Sequence, residues 1–300
     1  MSNDDRPRIE RALGYITDNI ARPLTVAEVA KRAHLSEFHF HRVFSAVMGE
    51  PVGRWITRKR LELAAMRLAY EPETSVTDIA LSVGYSSPSN FTKAFTAFFG
   101  RAPTSVRRAD ARATDTGRPD PAALHALPPE GDGAERKRVL DALGASVRFL
   151  DFAGLDLACL ASSEGYELSS LVELWGDLIA RGRQLGICED AVDAYGLAFD
   201  SPQLTQPELC RYHACVPCPP STSLPAPLFR GRIPEGRYAI FPYAGDVAGV
   251  ERHYRSIYSV WFPASSVAAD DFVAIDHYVG DEPVDGRIDL EVWIKLRPRG

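Results

Sequence analysis

The chain has 300 residues, 45% hydrophobic and 25% charged, which is the balance of an ordinary globular protein and enough length for two domains. Its net charge of −6 conceals an asymmetry: residues 1–110 carry a net +4 and residues 145–300 a net −9, so only the front of the chain suits a polyanionic partner. No apolar run approaches the ~18–20 residues that cross a bilayer, and the polar start from Met1 to Arg11 lacks the apolar core of a signal peptide, so we expect a cytoplasmic chain with no membrane partner.

Residues 9–108 read as helices, and they contain a duplication. Thr25-Val-Ala-Glu-Val-Ala30 matches Ser75-Val-Thr-Asp-Ile-Ala80, fifty residues later. Each segment opens on a hydroxyl N-cap with an acid three residues on, the arrangement of a capping box. Each also places a small Ala where a second helix must cross closely. Phe44-Ser-Ala-Val-Met-Gly49 then matches Phe95-Thr-Ala-Phe-Phe-Gly100, fifty-one residues later. The change of offset falls in the turn, which leaves both flanking helices intact.

Each copy therefore reads as helix, turn, capped helix and glycine stop. The second helices run from Ser36 to Gly49 and from Ser87 to Gly100, with Pro88 at the first helical position. In a helix-turn-helix the second helix enters the major groove and its N-terminal residues reach base edges. Those residues are Glu37, Phe38, His41 and Arg42 in the first copy and Ser89, Asn90, Thr92 and Lys93 in the second, while Phe40, Phe44, Phe91 and Phe95 fall on the core face. His39 and His41 are two apart and do not share a helix face, so a helix-surface role is expected of these histidines rather than a metal site.

Between the copies, Val52–Glu71 contains no Gly or Pro from Arg54 onward. About 17 helical residues span roughly 26 Å, against about 34 Å between major-groove faces on one side of a duplex. A stiff connector of this kind would hold two recognition helices in adjacent major grooves, so that one polypeptide reads two half-sites. Arg54, Arg58, Lys59 and Arg60 lie on or near it and are expected to face phosphates, Arg58 among the DNA contacts.

The pattern Ile79, Ala80, Val83, Gly84, Tyr85, Ser87, Phe91, Phe95, Phe99, Gly100 and Pro103 resembles the DNA-binding module of the AraC/XylS family, over residues ~10–108. The resemblance implies an all-α double helix-turn-helix domain at residues 1–110 and a transcription regulator that binds double-stranded DNA beside the nucleoid, with RNA polymerase as a further partner.

Residues 111–145 read as a Pro/Gly-rich linker with a short helix at Glu135–Leu143. Alternating apolar runs follow at Phe149–Leu160, Tyr195–Phe199, Arg211–Val216, Tyr238–Tyr243, Phe272–Val279 and Ile288–Leu296, interrupted by amphipathic helices at Leu168–Leu185 and Val247–Trp261. Phe152–Leu160 resembles Pro234–Pro242, and each is followed by a glycine turn, a helix and two strands. The expected fold is α+β, built of two pseudo-symmetric βαββ units with a groove between helices and sheet. The five cysteines all lie in this half. Cys215 and Cys218 have CxxC spacing, but no second CxxC accompanies them, so a pair of small apolar side chains at a strand end is the expected reading.

Residues 146–297 resemble the GyrI-like effector-binding domain through segments 194–200, 208–217, 236–241 and 289–294. The resemblance implies a small-molecule receptor, for a lipophilic or cationic effector, with an aromatic pocket holding an acid. A cation gains against aromatic faces and needs a carboxylate to neutralise it. Glu291, flanked by Leu290 and Val292, is the expected carboxylate, and strand alternation puts Asp289, Glu291 and Trp293 on one face. Trp175, Tyr195, Tyr212, Tyr258 and Trp293 are the candidate aromatics. His213 stands where the repeat pairs it with Glu291. No cofactor is expected. Two rival readings are a small-molecule hydrolase, with Glu291 and Tyr195 or His213 as acid and base, and a constitutive regulator whose second domain binds a protein.

Overall fold

A computed structural model describes residues 5–106, 121, 124, 133–162, 164–188, 193–206, 209–279 and 287–297. The expected linker residues 111–120, 122–123 and 125–132 lie outside these. The chain divides into two compact units.

The first unit is helical: α1 (Asp5–Asp18), α2 (Val26–Arg32), α3 (Glu37–Met48), α4 (Val52–Tyr70), α5 (Val76–Ser82), α6 (Pro88–Phe99) and α7 (Pro103–Val106). The duplication is physical. Thr25 and Glu28 form the full reciprocal capping box on α2. Ser75 accepts from the Asp78 backbone on α5 and donates to its carboxylate at 2.6 Å. Both turns follow one hydrogen-bond pattern, Leu35 N to Ala30 O and Tyr85 N to Ala80 O, each at 3.1 Å. Both turns also pass through left-handed backbone, at His34 (φ 56°) and Gly84 (φ 88°). The copies stay fifty residues apart up to Tyr85, and Ser86 is the inserted residue that shifts the second N-cap to Ser87. Gly49 (φ 71°) and Gly100 (φ 74°) end α3 and α6 in the left-handed region that glycine enters without penalty.

The core of the first copy gathers Ile9, Leu13, Ile16, Val29, Phe40, Phe44 and Trp55, with Phe44 edge-on to Trp55 at 6.2 Å. In the second copy Phe91, Phe95 and Phe99 pack in a row at 5.4 and 4.6 Å. The connector α4 belongs to both copies. Arg60 donates to the carbonyls of Ile20 (3.0 Å) and Arg22 (2.7 Å), and Arg67 donates to Ser82 Oγ at 2.6 Å.

The second unit contains α8 (Gly133–Ser146), β1 (Arg148–Phe152), β2 (Leu155–Ala161), α9 (Leu168–Gln184), β3 (Ala194–Ala198), β4 (Tyr212–Pro217), β5 (Phe229–Ile233), β6 (Gly236–Asp246), α10 (Val247–Ser256), a π-helical turn (Ile257–Trp261), α11 (Phe262–Ala264), β7 (Ala269–Tyr278) and β8 (Arg287–Leu296). The helix expected within the linker is longer than its sequence signal, and its Arg136 donates to the carbonyl of Ser259 at 3.1 Å. One eight-stranded sheet runs β1-β6-β8-β7-β3-β4-β2-β5. Each repeat contributes a strand, a helix and two strands, β2-α9-β3-β4 and β6-α10-β7-β8, and the repeats meet where β3 pairs antiparallel with β7. The outer strands are exchanged: β1, which precedes the first repeat, pairs with β6 of the second, while β5, which precedes the second, lies beside β2 of the first. β5 is only five residues long and alternates around a glycine, with Phe229, Gly231 and Ile233 on one face and Arg230 and Arg232 on the other, so its apolar signal is weak and the sequence reading does not contain it.

Candidate nucleic-acid interface and effector site

All eight recognition-helix positions named from the sequence are solvent-facing: Glu37, Phe38, His41 and Arg42 on α3, and Ser89, Asn90, Thr92 and Lys93 on α6. The opposite faces of the same helices are fully buried at Phe40, Phe44, Phe91 and Phe95. Ser36 Oγ accepts from His39 N and Ser87 Oγ from Asn90 N, both at 3.4 Å, which fixes where each recognition helix starts. Phe38 is 82% exposed, a large apolar ring with no packing reason to be there. The Arg42 guanidinium lies 3.3 Å from His39 Nδ1, so it is held near the helix surface it would leave to reach a base.

The connector arginines require a correction. Arg58 is 6% exposed: it donates through Nε to Glu50 (2.8 Å) and through Nη1 to Glu62 (2.8 Å) inside the unit, and is not presented to phosphates. Helical spacing from Trp55 and Leu61 puts Arg58 on the buried side of α4, and a buried cation must carry its counter-charges with it. Lys59 sits 3.1 Å from Glu62. Arg60 is spent on the Ile20 and Arg22 carbonyls. Of this group, Arg54 is the exposed one.

In the second unit, strand alternation sorts the candidate effector residues onto opposite faces of the sheet. One face carries the helices. Trp175 of α9 lies edge-on to Tyr278 at 5.2 Å and to Tyr212 at 6.4 Å. The Tyr212 and Tyr278 hydroxyls are hydrogen-bonded at 2.8 Å, Tyr254 of α10 donates to Asp276, and Phe241 packs on Trp261 at 4.9 Å. Gly196 makes the room, because a Cβ there would come within 2.1 Å of the Tyr212 hydroxyl. Burial holds the Asp276 carboxyl up at about 6, against which the Tyr254 hydrogen bond pulls weakly.

The other face carries Tyr195, His277, Glu291, Trp293, Tyr238 and Phe152. Tyr195 stacks on His277 (4.6 Å, 11° between planes), and Trp293 stands edge-on to Tyr195 (6.1 Å), His277 (5.4 Å) and Phe152 (5.2 Å). At the margin of these rings Glu291 accepts from Trp293 Nε1 (3.1 Å), faces His277 Nδ1 (3.3 Å) and is ion-paired with Arg148 of β1. Asp193 lies 3.5 Å from His277 Nε2. Partial burial pushes the Glu291 carboxyl up, but the donors Arg148, Trp293 and His277 together outweigh it and hold the group below the usual carboxylate range. Burial, followed by the charges of Asp193 and Glu291, pushes the Tyr195 phenol up to about 12.

Of the expected effector residues, the structure therefore brings together Tyr195, Glu291 and Trp293. Tyr212 lies on the helix-bearing face instead, against Trp175 of α9, because it is next to His213 along β4 and must point oppositely. Tyr258 lies in the π-helical turn, stacked on Phe262 at 5.7 Å. His213 is on the Glu291 face, but opposite Leu197, which is itself opposite Ile275, and its ring contacts Phe199 at 4.5 Å. Sequence reasoning missed His277, Arg148 and Asp193. The alternation within Phe272–Val279 contains His277, whereas Arg148 has no local signal because its partner is on a strand far along the chain.

Comparison with known proteins bears on both units. A helix-turn-helix domain family matches residues 29–109, and the GyrI-like small molecule binding domain family matches residues 147–297. The chain is similar to Regulatory protein SoxS of Salmonella typhimurium (33% identity over 99 residues, 33% of this chain and 92% of SoxS). It is also similar to HTH-type transcriptional activator AarP of Providencia stuartii (32% over 102 residues, 34% of this chain and 75% of AarP). Among solved structures, the C-terminal domain of AraT, a response regulator from Geobacillus stearothermophilus, is 29% identical with a TM-score of 0.33, covering 37% of this chain and 91% of that one. Among the described residues no helix is long and apolar enough to cross a membrane, and no group of His, Cys, Asp and Glu is arranged to hold a metal ion.

Proposed function

This chain belongs to the AraC-type helix-turn-helix regulators and, over residues 147–297, to the GyrI-like small-molecule binding family, and from that premise we propose which residues carry its two activities. It is a DNA-binding transcription regulator controlled by an effector. The reading of bases falls to Glu37, Phe38, His41 and Arg42 in one major groove and to Ser89, Asn90, Thr92 and Lys93 in the next. The observation that carries this is the pair of identically capped helices, each with a buried phenylalanine face and an exposed polar one, joined by the unbroken helix α4. Arg42→Ala and Lys93→Ala should each weaken binding to a selected operator by about 1–3 kcal/mol; gel-shift titrations in which both variants match the parent would remove them from the interface.

The effector site is the aromatic wall of Tyr195, His277 and Trp293 with Glu291 at its margin. Glu291 is ionised and already met by Arg148, so a lipophilic cation entering here displaces a guanidinium rather than water. A thermal-shift screen of lipophilic cations identifies a binder. Against that binder, Arg148→Gln should raise affinity and Glu291→Gln should lower it, both leaving DNA binding unchanged; calorimetry giving equal affinities for all three proteins would move the site elsewhere. The chain acts without catalysis on this reading: the Tyr195 phenol, pushed up to about 12, is poorly matched to proton transfer near neutral pH. RNA polymerase is the further partner, and the cytoplasm beside the nucleoid the place of action.

A further inference from the structure

The pocket residues belong to a longer alignment. Cys159 of β2 is the direct register partner of Cys215 of β4, Cys215 of Tyr195 on β3, Tyr195 of His277 on β7, and His277 of Glu291 on β8. These side chains form a single transverse row on one face of the sheet, with two thiols at one end and the Glu291 carboxylate at the other. At the thiol end the two Sγ atoms are 2.8 Å apart, both side chains fully buried. Gly231 of β5 clears the space over them, since a Cβ there would fall 2.4 Å from Cys159 Sγ. The CxxC neighbour is not the partner: Cys218 lies beyond the end of β4, an odd number of residues from Cys215 and hence of opposite facing, with its Sγ 3.6 Å from the Pro219 carbonyl.

We propose that Cys159 and Cys215 are a site of reversible disulfide formation, driven by hydroperoxides, that ties β2 to β4 beside Tyr195. Directly opposed residues of an antiparallel pair have Cα atoms about 4.5–5.5 Å apart, inside the span a disulfide bridges. Closing from 2.8 Å to the ~2.05 Å of an S–S bond is a matter of small side-chain rotations. One thiol attacks the peroxide, the O–O bond breaks, and a sulfenic acid and one water result. The second thiol then displaces hydroxide from that sulfur, giving the disulfide and a second water, so that two electrons and two protons pass from the sulfurs to one hydrogen peroxide. Buried thiols meet peroxide slowly. The partner sulfur in contact captures the sulfenic acid before it is oxidised further. A cytoplasmic disulfide of this kind is transient and reports oxidant load.

The test uses the full chain, reduced and then exposed to hydrogen peroxide over hours, with free thiols alkylated in denaturant. The expected result is a chain lighter by two mass units before alkylation, a single cross-linked peptide pair containing Cys159 and Cys215, reversal by dithiothreitol, and a midpoint of thermal unfolding raised by several degrees. Cys159→Ala and Cys215→Ala should each abolish the cross-link, and Cys218→Ala should leave it intact. Five alkylated cysteines after treatment of the parent chain, or a cross-link that survives in Cys159→Ala, would overturn the proposal. Because no effector enters the experiment, its outcome is independent of the pocket assignment.

Discussion

At the scale of single residues, the charges that are buried decide more than those that are exposed. Arg58 lies between Glu50 and Glu62, with Lys59 also on Glu62, and removing its cation takes the guanidinium from two buried carboxylates and leaves Lys59 to serve Glu62 alone. Arg58→Ala should cost about 3–5 kcal/mol in denaturant unfolding, whereas Phe38→Ala should stay within about 0.5 kcal/mol in the same assay while weakening operator binding. A Phe38 variant with unchanged affinity would deprive that exposed ring of a role. Asp276 gives a pH signature. Its carboxyl titrates at about 6 when folded and near 3.8 when unfolded, so between those values the folded chain holds more protons and stability falls as pH rises. The full cost, of order 3 kcal/mol for a shift of about two units, is present above pH 6. Asp276→Asn keeps an acceptor for Tyr254 and should flatten the stability profile between pH 4 and 6; a profile with its slope intact would move the titration to another group.

At the scale of elements, what was readable in the sequence is what depends on near neighbours. Caps, glycine stops and the 3.6-residue phenylalanine spacing fixed α2, α3, α5 and α6; alternation found six segments that cover seven of the eight strands, β1 and β2 lying within the one segment Phe149–Leu160, and amphipathic spacing found α9 and α10. β5 escaped because it has five residues and Gly231 stands where an apolar side chain would mark the face of Phe229 and Ile233, and the splitting of Trp175 and Tyr212 from Glu291 escaped because it depends on register between strands distant in sequence. The Arg58 expectation failed for a related reason: basic residues on a helix look alike until the buried side is known. The repeated stops can be tested as elements. Gly100→Ala must adopt φ near 74° with a Cβ and should destabilise by about 1–2 kcal/mol, and Ser87→Ala, which loses the cap on α6, by about 1 kcal/mol. Thermal unfolding of the two variants checks both figures, and a Gly100→Ala chain as stable as its parent would contradict the left-handed stop.

At the scale of the whole molecule, α4 makes the helix-turn-helix copies one instrument. Two residues inserted in its buried middle turn the part of the helix that follows by roughly 200° about the helix axis, and the second copy with it. Operator affinity should then fall to that of a single half-site, and a gel-shift series with half-sites moved apart by single base pairs should show recovery at a new phase rather than at ten base pairs. The exchanged outer strands of the second unit impose a different condition, one on synthesis. Phe152 of β1 is joined to Gly236 of β6, so when the ribosome delivers β1 its partner is still untranslated. The amides of β1 must wait through the whole of the first repeat before they are answered. A gene cut between the repeats would thus yield two halves that each hold the strand the other needs.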